Sequence, residues 1–200
     1  MLLINRRASL YNRKDIIMSE FNTEYILEKI AEMEDGQNSM SDIFYKGEVP
    51  GDVDPALLSL IDMADVVTVM DYADIGQNGY DAFGVFTFLP DVEDDPCRIL
   101  SIVITLTEEV NPVGIYDLYQ VMNRINVRIP GGAFVISDDE KTMYYRTYVT
   151  LPKDVSDEET LKNAGLRVFD SIAAVNDWID VLMGLNDGDL SYEESIKIVS

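Results

Sequence analysis

Near the end of the chain, Leu161, Ala164, Val168, Ile172, Val175, Ile179 and Leu182 recur at spacings of 3, 4, 4, 3, 4 and 3. That period places all of them on one side of a single α-helix. Ser156 and Glu159, three apart, have the form of a capping box at its start, and Gly184 marks its expected end. An apolar stripe this long is stable only against another apolar layer, so the rest of the chain has to supply one.

The middle of the sequence supplies strands. Val66–Tyr72 is β-branched and apolar, Gly76, Asn78 and Gly79 make a turn, and Tyr80–Leu89 returns. After the acidic turn 91–96, Arg98–Thr107 alternates cleanly, with Leu100, Ile102, Ile104 and Leu106 on one face. Three strands joined by short polar turns read as an antiparallel meander. Asn111–Pro112 has the cap-then-proline form of a helix start, continued by Ile115, Leu118, Met122 and Ile125 and stopped by Pro130-Gly131-Gly132. Ala133–Ile136 and Thr142–Leu151 then flank Asp138–Lys141 as a hairpin. Upstream, Glu24–Glu34 reads as a helix with Ile26, Ile30 and Met33 inward and Thr23 as its cap. Residues 37–65 read as a loop with a short helix through Leu57, Leu58 and Ile61 opened by Asp54-Pro55. The expected fold is α+β: an antiparallel sheet of about five strands covered by helices on one face, in the order α-β-β-β-α-β-β-α.

Two hundred residues with 47% apolar content suffice for one domain, expected to span 18–184. Residues 1–17 carry Arg6, Arg7, Arg13 and Lys14 against the single acid Asp15, opposite in sign to the net −22 of the chain. They are expected to form a flexible basic extension. Residues 185–200 read as a polar C-terminal tail. The charge of −22 repels phosphate backbones and anionic bilayers, so neither nucleic acid nor membrane is an expected partner. No window reaches the ~20 apolar residues of a bilayer span. There is no histidine, which removes Ser–His–Asp and Cys–His catalysis and imidazole zinc sites. Cys97 is the only cysteine, which removes internal disulfides and thiolate metal clusters.

The run Met122-Asn123-Arg124-Ile125-Asn126, followed by an apolar strand, an acidic turn, a second strand and a long amphipathic helix, is similar to the YbjN-like family of bacterial domains. The resemblance covers about residues 66–184. The sequence departs from it in the length of 37–65 and in Glu140-Lys141, where a glycine is usual in the turn. The resemblance implies the fold of the type III secretion chaperones and homodimers as in those chaperones. Family members are described as sensory transduction regulators, a description that brings no catalytic residues with it.

Each possible site has a chemical and a purely architectural reading. Asp187–Glu194 resembles the back half of a calcium loop, but Met183 and Leu185 would stand where carboxylates are required. A helix start capped by Ser191 fits better. Asp91, Glu93, Asp94 and Asp95 can hold a cation or simply form a solvated turn. No phosphate-cradling glycine loop occurs. An enzyme is therefore not expected, nor a cofactor or a metal. Asn123 and Asn126 share a helical face and offer either a contact surface or caps for the following turn. Tyr144, Arg146 and Tyr148 alternate with the core-side Met143, Tyr145, Thr147, Val149 and Leu151. Tyrosine and arginine anchor protein interfaces, and they also pack across half-wet sheets. The reading is a protein-binding module of the bacterial cytoplasm whose partner carries basic segments, with a small-molecule or metal-responsive regulator as the alternative.

Overall fold

In a computed structural model, residues 21–34, 39–46 and 64–200 are described. The basic segment 1–17 and the short helix expected around Leu57–Ile61 lie outside them. The meander is present as β2 (Val66–Ile75), β3 (Tyr80–Phe88) and β4 (Cys97–Thr107), each antiparallel to the next. It is preceded by α1 (Thr23–Glu34) and by β1 (Ser39–Tyr45), which pairs with β2 from Ser39↔Tyr72 to Tyr45↔Val66. After β4 come α2 (Ile115–Asn126), β5 (Ala133–Ile136), β6 (Met143–Pro152), α3 (Asp157–Asp187) and α4 (Tyr192–Ile198). The sheet order is β1-β2-β3-β4-β6-β5. The chain thus leaves β4, crosses through α2 to the sheet edge, and returns as β6 between β4 and β5. The fold is α+β with a six-stranded open antiparallel sheet and, among the described residues, four helices.

The sixth strand corrects the expected loop over 37–54. Ser39, Ser41 and Asp42 are polar, but β1 lies at the sheet edge and is only half-buried, where such residues remain solvated. The Ser39 hydroxyl also donates to the Glu34 carbonyl, joining the strand to the end of α1. Asn22, not Thr23, caps α1: its Oδ1 accepts from the Tyr25 N–H at 3.0 Å. The inward face of α1 is Ile26, Leu27, Ile30 and Ala31, whereas Met33 is largely exposed. Asn111 does not cap α2, which starts three residues after Pro112 with Gly114 at its N-cap.

The long helix runs past Gly184 to Asp187 and stops at Gly188 in the left-handed region. Its buried face includes Ala164, Val168, Ser171, Val175, Ile179 and Leu182; Ile172, expected within it, sits half-buried on the flank. Ser171 enters the core because its hydroxyl donates to the Arg167 carbonyl at 2.7 Å, which leaves no orphaned polar atom. Ser156 accepts from the Glu159 N–H at 3.2 Å, which is half of the expected capping box. The complete box stands at α4, where Ser191 and Glu194 bond reciprocally. The expected tail 185–200 is thus a docked element: Asn186, Ser195 and Val199 are buried.

Side-chain amides and carboxylates of α3 fasten remote loops. Asp180 accepts from the N–H groups of Gln77 (2.7 Å) and Asn78 (3.0 Å), and Asn176 from that of Gly76 (3.1 Å). Gly76 has φ +74, and a Cβ there would stand 2.7 Å from Asp180 and Ile179 atoms. Asp180→Ala removes both acceptors at once. It is expected to lower stability by about 1–3 kcal/mol in urea denaturation. An unchanged midpoint would show that the turn holds itself.

Two buried tyrosines set an alkaline limit. Burial, with the Glu34 carboxylate adding to it, pushes the Tyr72 hydroxyl far up from its ordinary range, and burial also raises that of Tyr145. A raised tyrosine keeps its proton in the native state while the unfolded chain ionises near pH ~10. The stabilisation is complete below that pH and drains away as pH climbs above it. The expected result is a denaturant midpoint that declines above pH ~10, less steeply for Tyr145→Phe.

Candidate functional site

β6 positions the expected surface. Its odd-numbered residues Met143, Tyr145, Val149 and Leu151 enter the core, with Thr147 half-buried, and its even-numbered residues point to the other face. Tyr144, Arg146 and Tyr148 therefore share the sheet face opposite the helices, as their alternation implies. Arg146 is exposed, Tyr148 is 57% exposed and Tyr144 is half-buried. Elsewhere the same face holds the buried Val67 and Val69, ringed by Phe44, Phe83 and Val85.

The asparagine pair lies elsewhere. α2 packs against β5 and α3 on the helical side. Asn123 is exposed there. Asn126 instead grips the sheet edge: its Oδ1 accepts from the Phe134 N–H at 2.8 Å, and its Nδ2 donates to the Phe134 carbonyl at 2.9 Å. The side-chain amide acts as a stand-in for one peptide of a further strand, closing the edge of β5. Asn126 is thus a structural residue. Asn126→Ala is expected to cost about 1–3 kcal/mol, because Phe134 loses both partners. Hydrogen exchange should show the Phe134 amide losing protection first; unchanged protection would place its partner elsewhere.

The Phe134 bonds also fix the parity of the hairpin. If the Phe134 peptide groups face outward, those of Ala133 and Val135 face β6, opposite Arg146 and Tyr144. On the other side of β6, Lys153 donates its N–H to the Pro96 carbonyl at 2.8 Å, so the odd-numbered residues of β6 bond toward β4. The peptide groups of Tyr148 and Thr150 accordingly point away from β4. β5 ends opposite Arg146, and among the described residues no strand continues beyond it. Pro152, which has no N–H, occupies the next outward position.

This open stretch of edge borders a groove. One cavity of about 330 Å³ lies between Gly131, Gly132 and β6 on one side and Arg167, Ser171 and Ala174 of α3 on the other. A second, of about 450 Å³, continues it past Thr150 and Leu151 to Asn163 and Leu166. Tyr145 closes the floor, donating its hydroxyl hydrogen to the Gly131 carbonyl and meeting Phe134 edge-on at 5.3 Å between centroids. Arg167 and Asp170 pair at 3.4 Å, both more than half exposed, an ion pair worth little to stability. Leu166, 54% exposed, lines the second cavity from α3, and Phe169 on the same helix is 64% exposed. The groove offers peptide donors and acceptors, hydroxyls, apolar walls and one ion pair, which are means of recognition.

The acidic turn has structural work. Asp91 accepts from Lys153 at 2.7 Å, and Asp95 from the Cys97 N–H at 2.9 Å. Lys153 first, and Arg98 after it, lower the Asp91 carboxyl below its ordinary range. Among the described residues no group of three metal-ligating side chains comes together, and no helix is long and apolar enough to cross a membrane.

No family model matches this chain, and no curated protein is similar to it.

Proposed function

We propose that this chain is a non-enzymatic protein-binding module, chaperone-like or regulatory, of the YbjN-like sensory-transduction-regulator type, acting in a bacterial cytoplasm. The observation that carries the reading is β6, which presents Tyr148 and Arg146 to solvent beside a groove and a stretch of strand edge that is unpaired among the described residues. Exposed tyrosine and arginine next to desolvated walls are the ingredients of interface anchors. The expected order α-β-β-β-α-β-β-α is departed from in two places, by β1 between α1 and β2 and by α4 at the end; in favour of a type III secretion chaperone-like fold, the remaining elements α1, β2-β3-β4, α2, β5-β6 and α3 follow one another as expected. A homodimer, as in those chaperones, goes with this reading. The net charge of −22 favours a partner with basic segments.

Affinity capture with the full chain, followed by titration of each captured protein, tests the proposal. A specific partner should lose about tenfold or more in affinity when Tyr144, Arg146 and Tyr148 are replaced together by alanine. A second reading, a small-molecule or metal-responsive regulator, draws on the cavity of about 330 Å³, which is at the lower end for ligand sites. A thermal-shift screen separates the two. A true ligand at ~100 times its dissociation constant adds about 2.7 kcal/mol of stability. A metabolite with that effect, and no protein partner, overturns the first reading.

A further inference from the structure

We infer that the groove beside β6 takes an extended peptide, apolar at alternate residues and flanked by lysine or arginine, which adds to the sheet as a further strand; this rests on the protein-binding reading above. The main chain makes the case. Tyr148 and Thr150 each turn an N–H and a C=O toward the groove, the pattern that only another extended backbone satisfies in full. β6 has ten residues and β5 four, so the sheet stops short on this side while its neighbour continues.

The groove lies between the β6 edge and the long helix. Its far wall is α3 itself, through Asn163, Leu166, Arg167 and Asp170. In a twofold edge-to-edge pairing of two β6 strands, each copy would bring its own α3 to the same place. A single extended chain brings neither a second sheet nor a second helix to that edge. The side-chain pattern follows from the walls. Alternate residues of the added strand would face Val149 and Ala174, which favour small or medium apolar groups, and the intervening ones would lie beside Tyr148 toward water. Arg167 and Asp170 offset each other, so the charge that a peptide meets is that of the whole chain, −22, which draws in basic flanks.

The test is selection of displayed random dodecamer peptides on the full chain, followed by fluorescence anisotropy of the enriched sequences. The expected consensus alternates apolar and polar residues between basic flanks. N-methylation of the peptide, one amide at a time, should lower affinity about tenfold at every second residue and hardly at those between. On the protein side, Thr150→Pro removes one outward N–H without touching a ladder bond, and Pro152 already occupies the equivalent position two residues on. It is expected to abolish binding at an unchanged unfolding midpoint. Peptides that bind but ignore both N-methylation and Thr150→Pro, or an acidic consensus, overturn strand addition. If such peptides lose affinity on replacement of Tyr144, Arg146 and Tyr148, protein binding by that face stands. If no peptide is enriched and affinity capture yields no partner, both readings fall.

Discussion

Ile179→Ala is expected to lower the unfolding free energy by about 2–5 kcal/mol, the range for truncating a fully buried aliphatic side chain. Ile179 is 0% exposed and reaches the turn between β2 and β3, where its Cγ2 lies 2.7 Å from the position a Cβ at Gly76 would take. Both the α3 core and the seat of that turn therefore lose contact. Ile172→Ala on the same helix is expected to cost less than half as much, since Ile172 is half-buried and its loss opens no closed cavity. Urea midpoints of the two variants, compared at equal m-value, test the orientation of α3. Equal losses would mean that the helix is rotated from the phase described.

Gly132→Val is expected to destabilise by about 2–4 kcal/mol. Gly132 has φ +76, and a Cβ there would stand 2.2 Å from the Tyr145 hydroxyl oxygen and 2.8 Å from the Arg146 carbonyl. A β-branched side chain meets both a backbone conformation it strongly disfavours and a wall of atoms. Gly188→Ala separates the two causes. Gly188 has φ +83 with nothing within 4 Å of its Cβ position, so its replacement carries conformational strain alone, about 1 kcal/mol. If both variants lose the same stability, the contact with Tyr145 is not what demands glycine at 132. Because Gly132 also borders the groove, the valine variant should in addition weaken any ligand held there.

The strands with strong period-two alternation, β4 and β6, were legible because one face of each is buried, and burial is what alternation encodes. β1 was not, because an edge strand keeps polar residues wet and so carries little apolar signal. The phase of α3 was legible only in part. An apolar stripe names Ile172, whereas the core accepts Ser171 through a bond to its own helix that no periodicity displays. The C-terminal residues look polar, yet Asn186 is buried because its amide holds Asn111 and Glu109 while its carbonyl accepts from the Asn111 side chain. Tyr144, Arg146 and Tyr148 could be placed on one face by counting alone. The groove beside them could not, since Arg167 and Ser171 come to β6 through tertiary contact. One trace of it was present: a four-residue strand followed by a ten-residue strand with proline at its end.

The clamps made by α3 bear on how the chain reaches this state. Asp180, Asn176 and Asn186 hold segments 75 to 103 residues earlier in sequence. Such contacts raise the contact order and slow the search for the native arrangement. On a ribosome, the whole meander emerges after α1, which packs on β2 and β3, but before α3, which packs on β4 and β6, has been made. Until then Leu100, Ile102 and Ile104 of β4, all within 1% of full burial in the finished molecule, have no α3 above them. Synthesis at ~5–20 residues per second leaves the β4 part of that apolar sheet face uncovered for several seconds, an interval in which aggregation competes with folding. Synthesis of α3 is then the step that completes the core over β4.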